Sequence, residues 1–316
     1  MLTILTLILH ELDIFIGFSW RDWSASIIPG ALWASGAFRN LSLMEAVYNS
    51  LFLVSWLTLF VYLFTLSNQI TGVEEDRINK PDRPIPSGKI TIAGAQVRWL
   101  IVFSSFVGTA AFQPSLLPAN ICWIATIASM VLTPGGGNWF WKNTISMTAG
   151  TWALLQASWL IVAPMTPRIE TYSFAVALWL GLNMQIQDLR DIKGDCSIGR
   201  TTLPVVVGDR ASRVIICFVF MPMAIYVLHI SGILELAPVT LGVLHIALAY
   251  RVLRMGGPRY DHKTYMFFTY IFCAVVALAG NEGLSAGPAR TEIDGLAASR
   301  GTNAKLQPSL VQPISG

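Results

Sequence analysis

Asn183-Met-Gln-Ile-Gln-Asp188-Leu-Arg-Asp191-Ile-Lys193-Gly-Asp195-Cys-Ser-Ile-Gly199-Arg200-Thr-Thr-Leu-Pro204 is an acid-rich run entered directly from the apolar segment Tyr172 to Leu182. On a helix, Asp188, Asp191 and Asp195 stand at i, i+3 and i+7, so their carboxylates fall within about 60° of one another. Three acids on one face repel, and the arrangement persists most readily around a cation. Oxygen donors without His or Cys favour Mg²⁺ over zinc. Taken alone, the run reads equally well as a solvated loop whose charges pair with Arg190, Lys193 and Arg200.

A second acid cluster upstream tips the balance toward a site. Asn68-Gln69-Ile-Thr-Gly72-Val-Glu74-Glu75-Asp76-Arg77-Ile-Asn79-Lys80-Pro81-Asp82-Arg83-Pro84-Ile-Pro86-Ser87-Gly88 also leaves the end of a long apolar segment and turns into a basic loop. Asn68, Gly72, Glu75 and Asn79 share one helical face, with Asp76 about 80° to the side of Asn68. If the helix runs through Gly72, Asn68 and Glu75 are the inward pair; if the glycine breaks it, Asp76 serves as readily as Glu75. A solvated helix end is the plainer reading. Two carboxylate clusters followed by Lys and Arg suit a metal-bridged diphosphate, with metals neutralising some phosphate oxygens and basic residues binding the rest.

The composition places this site in a membrane. Of 316 residues, 54% are hydrophobic and 12% charged, with mean hydropathy +0.58. Soluble domains carry about 25% charged residues, so half the expected surface charge is absent. The net charge of +3 is spread over loops and gives no reason to expect nucleic acid. Cys122, Cys196, Cys217 and Cys273 lack metal-ligand spacing and read as small hydrophobes. His10, His229 and His245 sit in no catalytic pattern. No obligate protein partner is evident.

Residues 1–19 are too short and too polar to span, because His10, Glu11 and Asp13 interrupt them, and read as an interfacial helix. Nine candidate spans follow, near 20–38, 46–68, 92–112, 118–132, 144–162, 172–187, 214–230, 233–250 and 264–278. Residues 20–282 form one membrane domain on this reading. Residues 283–316, rich in Gly, Ala, Ser, Pro and Thr, are expected to be a disordered tail. The connections after spans two, four, six and eight, with Arg21, hold fifteen Lys and Arg; the other side holds five, and Arg98 lies within a span. The positive-inside rule makes the basic side cytoplasmic, so both acid clusters face the cytosol. The expected setting is the endoplasmic reticulum.

Two segments resemble motifs of the UbiA superfamily of intramembrane prenyltransferases. Asn68 through Gly88 is similar to that family's first aspartate motif with its trailing Asn-Lys-Pro-x-Arg-Pro-x-x-Ser-Gly. Asp188 through Pro204 is similar to its second, with the trailing Gly-x-x-Thr-Leu-Pro. The resemblance implies an all-α polytopic membrane bundle of about nine transmembrane helices around a central cavity. It further implies Mg²⁺ held by Asn68, Glu75, Asp76, Asp188, Asp191 and Asp195, and an isoprenoid diphosphate as substrate. The first motif departs from the usual Asn-Asp-x-x-Asp-x-x-x-Asp: Gln69 and Gly72 take the first two aspartate positions, Asp76 matches the third, and Glu74 and Glu75 are the compensating acids. The family's Tyr four residues before a Lys appears as Asn138 before Lys142. This altered pattern is similar to the fungal branch of UbiA-type terpene cyclases.

The expected activity is therefore a Mg²⁺-dependent class I cyclisation of farnesyl or geranylgeranyl diphosphate with release of pyrophosphate. Prenyl transfer to an aromatic or other acceptor is the first alternative, and transport of anionic metabolites the second. Arg77, Lys80, Arg83, Lys142, Lys193 and Arg200 are the expected diphosphate contacts. A cyclase also needs a dry cavity whose walls stabilise a moving positive charge, and aromatic faces do so. Among many aromatic residues, Trp152 and Trp159, at i and i+7, are the first expected there, with Phe64 and the Trp56 and Leu63 face. No side chain stands out as the final base, which leaves the released diphosphate for that role.

Overall fold

The chain is described here by a computed structural model that covers residues 2–282. The expected tail, residues 283–316, lies outside the described residues. The α-helices are α1 (Leu2–Ser19), α2 (Ile27–Ser35), α3 (Leu43–Thr71), α4 (Val73–Asn79), α5 (Ile92–Phe112), α6 (Leu117–Leu132), α7 (Met147–Leu160) and α8 (Pro167–Asn183). They continue through α9 (Ile192–Ser197), α10 (Leu203–Val207), α11 (Asp209–Ile215), α12 (Met221–Ile230), α13 (Pro238–Leu253) and α14 (Pro258–Glu282). Isolated β-pairing among the described residues is confined to one parallel bridge between Asn138 and Thr201.

Local chemistry marks where these helices begin. Ser42 and Glu45 form a reciprocal capping box at the start of α3, Glu45 Oε2 accepting from the Ser42 N–H at 2.9 Å. Thr91 caps α5 by accepting from Gly94 N at 3.1 Å, and Thr166 caps α8 ahead of Pro167. Long apolar helices then pair: α7 lies against α6 and α8, α3 against α5, α8 against α12, and α14 against α2.

The outer faces are those of a lipid-facing protein. Leu43, Met44, Leu51 and Val54 on α3, Val97, Leu100 and Ile101 on α5, and Val239, Val243 and Ile246 on α13 are all exposed. Apolar patches on this scale are not sustained in water. Along α1, Ile4, Leu5, Ile8, Leu9 and Leu12 are exposed, while Glu11 pairs with Arg98 and Asp13 with Lys89.

Nine spans were expected, and the helices divide differently. Five described helical segments are long and apolar enough to cross a membrane: Leu43–Thr71, Ile92–Phe112, Pro114–Leu132, Asp209–Ile230 and Pro258–Glu282. Pro238–Leu253 is apolar but shorter. The 20–38 stretch is cut into a 3-10 turn at Trp20–Ala25 and the nine-residue α2, and 144–162 is entered through a π-helical segment, Phe140–Ser146. Helices α7 and α8 bury most of their circumference in protein, which lets them carry polar residues such as Gln156, hydrogen-bonded to Ser173, that lower their mean hydropathy.

The first and last helices of the domain meet through glycines. A Cβ built on Gly36 would lie 2.1 Å from the Gly280 carbonyl oxygen, and one built on Gly280 would lie 2.6 Å from the Trp33 carbonyl oxygen. Both neighbours are backbone and cannot rotate away, so Gly280→Ala must push α14 off α2. The expected cost is about 1–3 kcal/mol, read as a lowered unfolding temperature of detergent-purified protein. Gly242→Ala on α13, where a Cβ meets nothing within 4 Å, should leave that temperature unchanged or raise it.

Candidate active site

A polar cavity of about 610 Å³ opens onto a more apolar chamber of about 390 Å³, the two sharing Asp22, Phe64, Asn68, Gly72, Glu75, Lys142, Gln187 and Arg200. The apolar chamber has an aromatic wall. Phe60 and Trp123 stack with ring centroids 4.0 Å apart and planes 9° apart, and Phe64 lies 5.7 Å from Trp123. Trp123 Nε1 donates to the Phe60 carbonyl at 3.0 Å, which satisfies the indole and fixes the ring. Gly150 makes room for it, since a Cβ there would lie 2.5 Å from Trp123 Cζ3. Met130, Met147, Leu154, Leu180 and Met184 line the chamber as well.

The two acid clusters face each other across the polar cavity. The backbone keeps helical hydrogen bonding through Gly72, with Gly72 N donating to Asn68 O and Asp76 N to Gly72 O at 2.9 Å each, but bends at the glycine (φ −99°, ψ 23°). Both first-motif acids consequently border the cavity. Asp76 is buried, both its oxygens accepting from Arg83 at 2.7 Å, while Glu75 takes Arg200 at 3.0 and 2.7 Å and borders both spaces. Asn68, like Glu75, borders both spaces.

The second motif is not one continuous α-helix. A 3-10 turn over Met184–Arg190 carries Asp188, and Asp191 precedes α9, which carries Asp195. Gly199, at φ +72°, turns the chain back so that Arg200 N donates to Asp195 O at 3.0 Å. The Arg200 side chain then reaches Asp195 Oδ1 at 3.1 Å while holding Glu75. Thr201 pairs with the loop before α7, its N–H donating to Gly137 O at 2.9 Å and its carbonyl accepting from Trp139 N at 3.1 Å.

Other expected residues fall inside and outside this arrangement. Lys80, Arg83, Lys193, Asp191 and Asp195 line the polar cavity. Asp188 sits behind the wall, taking Asn143 Nδ2 at 2.6 Å and Lys142 Nζ at 3.3 Å. Its carboxylate orients the lysine that does line the cavity. Arg77 points outward to Glu74 at 2.6 Å with its side chain 58% exposed, so it is not a cavity residue. Trp152 and Trp159 also miss the cavity. Helix α7 turns Gly150, Thr151 and Leu154 inward, which directs Trp152 to an outer groove beside Pro167 and Phe174, and Trp159 against Trp33 at 5.9 Å.

Asp22, Gln187, Tyr265 and the Asn143 support are residues that motif reading passes over. Asp22 and Tyr265 come from the two ends of the domain and meet only through the packing of α14 on the Trp20–Ala25 turn and α2. Gln187 was inside the quoted second motif, where its position directly before Asp188 was the available signal.

The donor chemistry suits a hard divalent cation. Every candidate ligand offers oxygen, and Asp195 Oδ2 is buried with no hydrogen-bond partner. Among the described residues no three His, Cys, Asp or Glu side chains gather around one point, and Arg200 and Arg83 occupy the carboxylates of Glu75, Asp195 and Asp76. A cation entering there takes over partners that the guanidinium groups now hold. Burial raises the pKa of Asp195, opposed by Lys142, and burial with the nearby Arg83 lowers that of Lys80, opposed by Asp191.

The model of the UbiA prenyltransferase family matches residues 24–271. The chain is 60% identical over 277 residues to diterpene cyclase eriG of Hericium erinaceus, covering 88% of this chain and 90% of that one. It is 56% identical over 272 residues to polyprenyl transferase eriF of the same fungus, covering 85% and 94%. Somaliensene A/B synthase of Streptomyces somaliensis is 37% identical over 67% of this chain and 73% of its own. In fold, the chain is similar to a UbiA homologue of Archaeoglobus fulgidus solved with GPP and Mg²⁺, at a TM-score of 0.59 and 16% identity, covering 86% of this chain and 100% of that one. The apolar exterior, the helical architecture and these matches together make the chain an integral membrane protein that belongs to the UbiA prenyltransferase family.

Proposed function

We propose that the protein is a Mg²⁺-dependent terpene cyclase that ionises geranylgeranyl diphosphate and closes the resulting cation inside the apolar chamber. The observation that carries this reading is the stacked Phe60 and Trp123 wall in an apolar chamber directly below a cavity lined by acids and bases. The identity to diterpene cyclase eriG supports the reaction class and a C20 substrate. The proposed ligands are Asn68, Glu75, Asp76, Asp191 and Asp195, with Asp188 holding Lys142.

In this mechanism Lys142, Arg200, Lys193, Lys80 and Arg83 bind diphosphate oxygens and favour charge on the leaving group as the allylic C–O bond breaks. Bound among the carboxylates, Mg²⁺ supplies further neutralisation of that charge. The bend at Gly72 holds Glu75 where the polar cavity narrows into the chamber. Phe60, Trp123 and Phe64 line the chamber, and a ring face turned to the cation is worth about 0.5–2 kcal/mol. The apolar lining keeps out water that would otherwise quench the cation. A cytosol-facing mouth in the endoplasmic reticulum membrane fits a diphosphate supplied from the aqueous side.

Prenyl transfer is the second reading, favoured by the 56% identity to polyprenyl transferase eriF. Incubation of purified protein with geranylgeranyl diphosphate, Mg²⁺ and no acceptor separates them. Cyclisation gives a cyclic hydrocarbon or alcohol by mass spectrometry; a product that forms only after an acceptor is added overturns it.

The metal has its own test, independent of turnover. Mg²⁺ at about 100 times its Kd should stabilise the fold by about 2.7 kcal/mol, raising the unfolding temperature in detergent. Asp195→Asn should remove most of that rise. A wild-type temperature indifferent to Mg²⁺ would take the metal out of this site.

A further inference from the structure

We infer that Asp22 is the proton acceptor that ends the cyclisation, an inference resting on the cyclase reading above. Asp22 lies on the short turn before α2, and its side chain borders both the apolar chamber and the polar cavity. Only two carboxylates line the chamber among the described residues, Asp22 and Glu75. Glu75 has both oxygens committed to Arg200. The Asp22 carboxylate has no hydrogen-bond or ion-pair partner among the described residues; only its backbone carbonyl is engaged, by Ser26 Oγ at 2.6 Å.

Asp22 is half-buried at the border of the two spaces, where an unpaired carboxylate can take up a proton from one side and pass it to the other. The Arg190 guanidinium lies 4.4 Å over the ring of Tyr265, which also lines the chamber, and is bonded to Asp191 Oδ2 and to His262 Nδ1 at 3.1 Å each, so it is engaged away from Asp22. Burial disfavours the charge on Asp22, opposed by the positive charges of Arg83, Lys80, Arg190 and Arg21, which act through space without bonding it. Its oxygens are therefore free to accept.

The step is balanced. A C–H bond next to the cationic carbon breaks, its electron pair closes a C=C bond, and the proton passes to an Asp22 oxygen. Because the same side chain borders the polar cavity, the proton can leave on that side to released pyrophosphate, which regenerates the carboxylate. Without this acceptor the cation persists until water adds or another C–H is lost, giving alcohols or isomeric alkenes.

The experiment compares wild type, Asp22→Asn and Asp22→Glu, incubated with geranylgeranyl diphosphate and Mg²⁺ without acceptor. Pyrophosphate release and product composition are followed together. In Asp22→Asn the wild-type product should fall by about 10²-fold, with the ratio of pyrophosphate released to that product rising and new alcohols or isomers appearing. Asp22→Glu, which restores a carboxylate, should recover part of the wild-type product. Unchanged products in Asp22→Asn, or a fall in product and pyrophosphate at a constant ratio, would overturn the assignment. A wild type that releases pyrophosphate without forming any cyclic product would sink the cyclase reading and this inference with it.

Discussion

The guanidinium of Arg200 is the tie on which the site's architecture depends. It spans Glu75 from the first acid cluster and Asp195 from the second, residues 120 positions apart, with contacts of 2.7–3.1 Å. Two carboxylates this close repel, and a partly buried location strengthens the repulsion as it would any attraction. One planar cation with forked donors meets both. The arginine is largely shielded from water, its side chain 27% exposed, and its position is set by the left-handed turn at Gly199 and by the pairing of Thr201 with the loop that leads into α7. The helices of the two motifs thus converge because an ion network fastens their ends, while packing aligns their shafts.

That network also separates two solvents within one cavity. Above it lie the acids and bases of the polar cavity in nearly equal number; below it, Phe60, Trp123, Met147 and Leu154 make up the apolar part of the chamber lining. The division suits a substrate with a charged head and a hydrocarbon tail, since each part meets a matching dielectric. Gly72 lets the first-motif helix bend at the border, and Gly150 gives the indole of Trp123 its place. Small residues shape the boundary that large ones line.

The motifs could be read in advance because their chemistry is local. Acids near the ends of apolar segments, followed by Lys, Pro, Arg and Gly at short spacing, keep their meaning wherever the helices pack. The division of labour could not be read this way. Helical spacing put Trp152 and Trp159 on one face but carried no information about which face looks inward, and α7 turned its small face to the cavity. Asp188 looked equivalent to Asp191 and Asp195 until Asn143 and Lys142, from another segment, claimed its oxygens. Arg77 had the right charge on the wrong side of α4. Asp22 had no motif around it, and only the packing of distant elements gives it a place at the chamber. Nine apolar stretches were visible, yet hydropathy could not distinguish a helix facing lipid from one such as α7 enclosed by protein.

The meeting of α2 and α14 at Gly36 and Gly280 has a consequence for biogenesis. Helix α14 supplies Tyr265 to the chamber wall and is the last described helix to leave the ribosome, whereas its neighbour α2 is among the first. Until α14 has been made, the face of α2 that packs on it lacks that partner. The wall that Tyr265 completes is therefore assembled only once that last described helix has packed on α2.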